Sequence, residues 1–221
     1  MLQFERFPDR FADRRLSLTF PGQGWTGAVR FLLRAVFCLV LGALLGLVLT
    51  ERSLRLEGGI GAVQIGAWSF FPDAGTTDIN PYLRARFART GQVPMSSAEG
   101  VMFLATRDSK GDVLDRSCTY RVTGSLPSAR FWTLEVSGTE GFPLPNPAQR
   151  SGYTSGELLR AADGSYAITI SPFPEPGNWV PVRGFGRFVL ALRLYDTAIT
   201  ALGTRSLRDL PMPSITRDRC A

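Results

Sequence analysis

The sequence predicts a mainly β protein: a jelly-roll-like β-sandwich with a few short helices, preceded by one N-terminal transmembrane helix. Three observations carry that expectation. An apolar run, FLLRAVFCLVLGALLGLVLT at 31–50, has no charge after Arg34. Beyond it the chain becomes a series of short segments with period-two apolar alternation, broken by Gly, Pro and Asp. The length of 221 residues and 44% hydrophobic content suit one domain with a real core plus an extra segment.

The apolar run comes first. Twenty helical residues rise roughly 30 Å, the thickness of a bilayer core. A core helix of that length would show a polar stripe, and this one shows none. The text after it, TERSLRLEGG, has no small-x-small cleavage signal, so the reading is an uncleaved anchor over 29–50. Ahead of it a basic leader, 1–28, carries Arg6, Arg10, Arg14 and Arg15 against Glu5, Asp9 and Asp13, and Arg30 and Arg34 stand at the leading edge of the run. The positive-inside rule then places the N-terminus in the cytoplasm and the rest of the chain outside, in the periplasm of a bacterial inner-membrane protein. Phe4, Phe7 and Phe11 could rest the leader on the inner leaflet, although Pro8 interrupts a helix there. Gly42 and Gly46 form a small-xxx-small pair that would allow homodimerisation through the bilayer.

The exported part divides into a juxtamembrane segment with a first strand, 51–77, and the β-domain proper, 78–221. GAVQIGAW, 61–68, reads as one strand. NPYLRARFARTG reads as a helix, with Asn80 as cap, Pro81 in the first turn and Gly91 at the end. Ser96 and Glu99 have capping-box spacing, predicting a short helix that runs into a strand at 102–106. SCTYRVTG, ARFWTLEVSG and GSYAITISP alternate as half-buried strands, and SGELLRAADG predicts about one helical turn. NWVPV reads as an edge segment because of its proline, RGFGR as a turn, and FVLALRLYD as a central strand buried on both faces except at Arg193. The tail LPMPSITRDRC should be extended. Cys118 and Cys220 both lie in the exported part, where a disulfide persists, and the bond between them is an open possibility beside two free buried thiols. Cys38 lies inside the anchor.

Candidate chemistry is sparse. The chain has no histidine, which removes Ser-His-Asp triads, Cys-His dyads and His-ligated metals. No metal site, cofactor or catalytic set is expected. Asp108, Asp112 and Asp115 lack the spacing and terminal Glu of a calcium hand and read as a solvated turn. Gly184-Phe185-Gly186 is only a partial glycine motif, and the segment after it is strand-like rather than helical. Basic charge is almost all arginine, with Lys110 the one lysine, and no basic run with interleaved aromatics points to nucleic acid. The set with most chemical interest is Trp132, Asn178, Trp179, Arg193 and Tyr195, which could line one mouth of the sandwich. The competing reading makes Trp132 and Tyr195 core, Asn178 a turn anchor and Arg193 a partner in a pair on the sheet face.

The order YLRARFARTGQVPMSSAEGVMFLATRDSKGDVLD, ARFWTLEVSG, NPAQR, DGSYAITI, NWVPV, FVLALRLYD and LPMPSI resembles the bacterial envelope family called domain of unknown function 1214, over about 78–215. Phe131-Trp132-Thr133, Asp163-Gly164-Ser165, 178–181 and 192–195 are its most specific pieces. The resemblance implies a jelly-roll-like sandwich with a few helices. In many relatives this domain follows another β-domain, domain of unknown function 1254, in one exported chain. Here an anchor stands in the companion's place, so the resemblance implies that a separate polypeptide supplies it. Two classes of function follow. One is a non-catalytic, membrane-anchored envelope module that docks a companion β-domain protein. The other is a periplasmic small-ligand or glycan-binding protein, or an enzyme, that uses the aromatic and arginine set.

Overall fold

The computed structural model describes residues 25–55, 61–90, 93–96, 98–146, 148–201 and 207–220. The chain falls into two compact units that divide between Leu49 and Thr50. Helix α1, Trp25–Arg55, runs through the apolar stretch. Its Thr26–Arg52 portion is long and apolar enough to cross a membrane, and none of it is buried against protein. An anchor and a signal sequence share that form. The leader up to residue 24, with its phenylalanines, lies outside the described residues.

The second unit is mainly β. Strands β1 (Val63–Ile65), β2 (Trp68–Phe70), β3 (Gly100–Ala105), β5 (Phe131–Gly138), β6 (Gly152–Thr154) and β9 (Phe188–Tyr195) form a six-stranded sheet in the order β1-β2-β3-β9-β5-β6. Strands β4 (Cys118–Thr123), β7 (Ala167–Ser171), β8 (Asn178–Pro181) and β10 (Ser214–Cys220) form a four-stranded sheet in the order β10-β4-β7-β8. All pairs are antiparallel except β7 with β8.

Period-two alternation decides what each sheet buries. On β5, Trp132, Leu134 and Val136 point inward, and the register sets them opposite Leu194, Leu192 and Leu190 of β9. Tyr120, Val122, Ile168, Ile170, Val180 and Ile215 of the other sheet join the same core. Removing one such side chain from water stabilises the fold by about 2–3 kcal/mol. The outer face of the six-stranded sheet has a second, smaller core. Helix α2, Pro81–Thr90, lays Leu83 and Phe87 over Leu104, Val189 and Ala191. Its N-terminus is closed as the sequence predicts, with Asn80 Oδ1 accepting the Leu83 N–H at 2.8 Å. Strand β9 is therefore covered on both faces along most of its length, and β8, with its proline, sits at a sheet edge.

Three local expectations are corrected. The 61–68 segment is two short strands, because Gly66 takes a positive φ of 59° and the chain turns back after Ile65. Ser96 opens a turn rather than a helix: its carbonyl accepts the N–H groups of Glu99 and Gly100, and β3 begins at once. Gly100 lies so close to β9 that an added Cβ would meet the Leu194 carbonyl oxygen, so the chain there follows the sheet. SGELLRAADG has turns at each end but no helix, because Asn178 takes both the N–H and the carbonyl of Leu159.

Strand β10 ties the two sheets together. Its register with β4 puts Cys220 opposite Cys118, and the two sulfurs are bonded. Ile215 is fully buried, its N–H donates to Ser109 Oγ, and its carbonyl accepts the Ser109 N–H. Just before it, the Pro213 carbonyl accepts the indole N–H of Trp68 at 2.7 Å.

Candidate functional site

The five residues of the predicted mouth occupy three separate places. Trp132 faces the shared core, 8% exposed, with its ring 5.4 Å from that of Tyr166. Arg160 lies over the outer face of Tyr166 at 5.2 Å and donates to the Gly164 carbonyl, closing that end of the core. Burial pushes the Tyr166 hydroxyl up to about 12, against a weaker opposing pull from Arg160.

Asn178 and Trp179 belong to the other sheet. The Asn178 carboxamide accepts the Leu159 N–H and donates to the carbonyls of Leu159 and Ala167, tying β8 to the 155–166 loop and to the start of β7. Trp179 donates its indole N–H to the Ser171 carbonyl and its backbone N–H to Tyr153 Oη. Arg150 donates to the same Tyr153 hydroxyl and lies over its ring. These contacts fasten the β8 edge to β6.

Arg193 and Tyr195 lie on the outer face of the six-stranded sheet, opposite to Trp132. The reason is the register: Thr133 pairs with Arg193 and Trp132 with Leu194, so a one-residue step separates the two faces. Arg193 Nη1 donates to Glu135 Oε2 at 2.5 Å, with both side chains about 30% exposed (29% and 31%). Tyr195 packs against Phe131 at 5.8 Å. Helix α2 covers the part of this face around Leu104, Val189 and Ala191, while Phe131, Thr133, Glu135, Arg193 and Tyr195 keep access to solvent. This strip, with rings at one end and an ion pair in the middle, brings together two of the five sequence-selected residues, Arg193 and Tyr195.

The aspartate loop holds the residue that sequence reasoning missed. Asp108 is a buried carboxylate, 2% exposed, and not a solvated one. Its Oδ1 accepts the N–H groups of Lys110 and Asp112, and its Oδ2 faces Arg217 Nη2 at 3.3 Å. Arg217 lies over the Tyr120 ring, donates to the Val113 carbonyl and is 3.7 Å from Asp112. That 108–115 forms a turn was readable in the sequence; that Asp108 is buried in it was not. Its partner is 109 positions away on β10 and leaves no local signal. A polar hollow of about 400 Å³ adjoins this loop, lined by Gln64, Ser69, Thr106, Asp108, Ser109 and Lys110. The buried Asp108 carboxylate on its wall is held by loop N–H groups through Oδ1 and lies beside Arg217 through Oδ2. Asp115 is held below the usual carboxylate range by the hydroxyl and N–H of Ser117. Among the described residues no cluster of three Cys, Asp or Glu side chains is placed to hold a metal ion.

The match that bears on ancestry falls on these same strands. Residues 99–199 match the family described as protein of unknown function, DUF1214. The matched segment runs from just before β3 to just past β9, and so contains Trp132, Asn178, Trp179, Arg193, Tyr195 and Asp108. The VPA0106 protein from Vibrio parahaemolyticus has a similar fold, with 21% identity and a TM-score of 0.50 over 64% of this chain and 36% of its own. A putative uncharacterized protein from Burkholderia cenocepacia aligns at 21% identity and a TM-score of 0.42, over 78% of this chain and 40% of its own. The chain thus spans well under half the length of either solved protein. No curated protein matches it.

Proposed function

We propose that the protein is a single-pass, membrane-anchored binding module of the bacterial envelope, with its DUF1214 domain on the periplasmic side, and that it works by docking a companion β-domain protein rather than by catalysis. The observation that carries this reading is the open strip on the outer face of the six-stranded sheet. Phe131 and Tyr195 give it an apolar end, Arg193 and Glu135 a charged centre, and α2 a raised border. Flat sheet faces with aromatic anchors and a polar surround suit protein partners better than small ligands, which need enclosure. The dispersal of the aromatic set over three places, with the polar atoms of Asn178 and Trp179 used within the fold, supports the same preference. The basic residues before α1 support the assigned orientation.

The test is affinity capture of the full chain from solubilised membranes, with Phe131→Ala/Tyr195→Ala and Arg193→Glu variants beside it. A stoichiometric partner captured by the parent and lost from both variants is expected. Capture of no such partner, or of one that both variants retain, would refute docking through this face. Reporter fusions after residue 59 that are inactive in the periplasm would refute the orientation.

A further inference from the structure

The Cys118–Cys220 bond joins two residues of unequal access. Cys118 is 4% exposed at the start of β4, whereas Cys220 lies exposed at the far end of β10. Among the described strands β10 is an edge strand, paired with β4 alone. It divides into two parts. As far as Arg217 it is built into the domain. Ile215 is fully buried and bonded twice to Ser109, the Pro213 carbonyl holds the Trp68 indole, and Arg217 lies against Asp108 and Tyr120. The ladder then slips between Arg217 and Arg219, so that Asp218 has no register partner on β4.

Beyond that bulge the strand is held differently. Residues 218–220 are all exposed. Asp218 meets Arg121 at 3.4 Å with both side chains open to solvent, and Arg219, itself 64% exposed, donates to Glu175 of the β7–β8 loop. Exposed pairs of this kind add little stability and are screened by salt. The remaining register pairs, Arg219 with Thr119 and Cys220 with Cys118, form a strand end, and strand ends open locally at almost no free-energy cost. The covalent bond is therefore what keeps the end of β10 on β4 and Arg219 on Glu175. A cross-link stabilises mainly by constraining the unfolded chain. Opening it leaves Ile215 and both cores with their native contacts.

We propose that this bond is a redox-controlled clasp: a dithiol oxidoreductase opens it in the folded domain, releasing 218–220 from β4 and the 172–177 loop from Arg219, while the rest of β10 stays in place. Exposed disulfides are the labile and regulatory ones. The attacking thiolate forms a bond to the Cys220 sulfur. The S–S bond breaks, its electron pair goes to the Cys118 sulfur, and that thiolate takes a proton from water. The second thiolate of the oxidoreductase then attacks its own sulfur in the mixed disulfide, and Cys220 leaves and is protonated in turn. The domain gains two electrons and two protons, and the oxidoreductase is left as a disulfide. Opening bares the Cys118–Thr119 end of β4 as a sheet edge and parts the Arg219–Glu175 and Arg121–Asp218 pairs. These changes belong to the four-stranded sheet and its loops, and use residues separate from the docking strip.

The full chain carrying Cys38→Ser is treated in mild detergent with reduced thioredoxin. New thiols are counted by the mass added with a maleimide, and amide hydrogen exchange is followed peptide by peptide. Two thiols per chain should appear at a rate proportional to the thioredoxin concentration, with far-ultraviolet circular dichroism retained. Exchange should speed at least roughly tenfold in the peptides spanning 118–120 and 218–220 and stay unchanged in β5 and β9, because strand ends and cores open independently. Oxidised glutathione should then restore the original protection. Cys220→Ser should show the open pattern with no reductant; if that variant fails to accumulate, reduction of the chain in place carries the test. The proposal is overturned if thiols appear at the rate of global unfolding whatever the thioredoxin concentration, which marks a purely structural bond. It is equally overturned if β5 and β9 lose protection on reduction, if 118–120 and 218–220 keep theirs, or if glutathione does not restore the closed state.

Discussion

Asp108→Ala offers the sharpest test of how the second unit is held together. The substitution takes the acceptor from two backbone N–H groups, of Lys110 and Asp112, and leaves the Arg217 guanidinium over Tyr120 without its buried counter-charge. A fully buried pair broken from one side costs about 3–5 kcal/mol. Arg217 is 28% exposed, and Asp112 stands 3.7 Å away on its solvent side, so about half of that is the better figure. The loop residues can turn to water, so the two lost acceptors add only about 1 kcal/mol together. The sum is about 3 kcal/mol, or roughly 6–12 °C in Tm for a domain of this size. Asp108→Asn keeps the Oδ1 acceptor and loses only the charge, so about half the effect is expected. The assay is thermal and urea unfolding of the full chain in mild detergent, followed by tryptophan fluorescence. The decisive measurement is the cycle with Arg217→Met. The double variant should be less damaged than the two single changes summed, by about 1 kcal/mol or more, because no unpaired charge remains. A loss under about 1 kcal/mol for Asp108→Ala, or strict additivity in the cycle, would show that Asp108 is only a turn residue.

Other outcomes follow from the same structure. Reduction of the Cys118–Cys220 bond, which closes a loop of 102 positions, should lower stability by about 4–5 kcal/mol on the loop-closure model, read as a Tm drop under dithiothreitol that Cys220→Ser reproduces. Gly100→Ala should cost about 3 kcal/mol or more, since its methyl group meets the Leu194 carbonyl of a central strand; soluble yield and unfolding midpoint report it. Tyr166 keeps its proton up to about 12 in the folded chain, whereas an unfolded tyrosine loses it near 10, so its contribution is complete below about pH 10 and fades between the two values. Tyr166→Phe should flatten the fall in stability over that range. Asp115 has the opposite sign: its depressed pKa gives stability at neutral pH that is lost on acidification below about 4, and Ser117→Ala should shrink that loss in an acid titration.

Much of the fold was legible because it follows local rules. Period-two alternation located β4, β5 and β7, the Asn80-Pro81 pair located α2, and the proline in NWVPV put β8 at an edge. The helices expected after Ser96 and Ser155 failed for a shared reason. Tertiary partners claim the backbone in both: β9 beside Gly100, after the Ser96–Glu99 capping box, and Asn178 on Leu159. Local spacing records what a chain would do alone, and these two segments are not alone.

Of the five residues selected from sequence, the structure places only Arg193 and Tyr195 on one open face, and the sequence held no signal for that grouping. Trp132, Arg193 and Tyr195 belong to two paired strands, and the alternation in each was plain. Whether two strands put given side chains on one face depends on a single residue of register, and register is fixed by the fit of the whole sheet. The register found sends Trp132 into the core and leaves Arg193 with Glu135 on the open face. That outcome gives Arg193, the one interruption in an apolar strand, two separable roles. If it serves only to satisfy Glu135, a Glu135→Gln/Arg193→Leu pair should be as stable as the parent and still capture a partner. If the strip is a docking face, the same pair should fold with an unchanged Tm and lose the partner, and comparing the two readouts in one preparation distinguishes them.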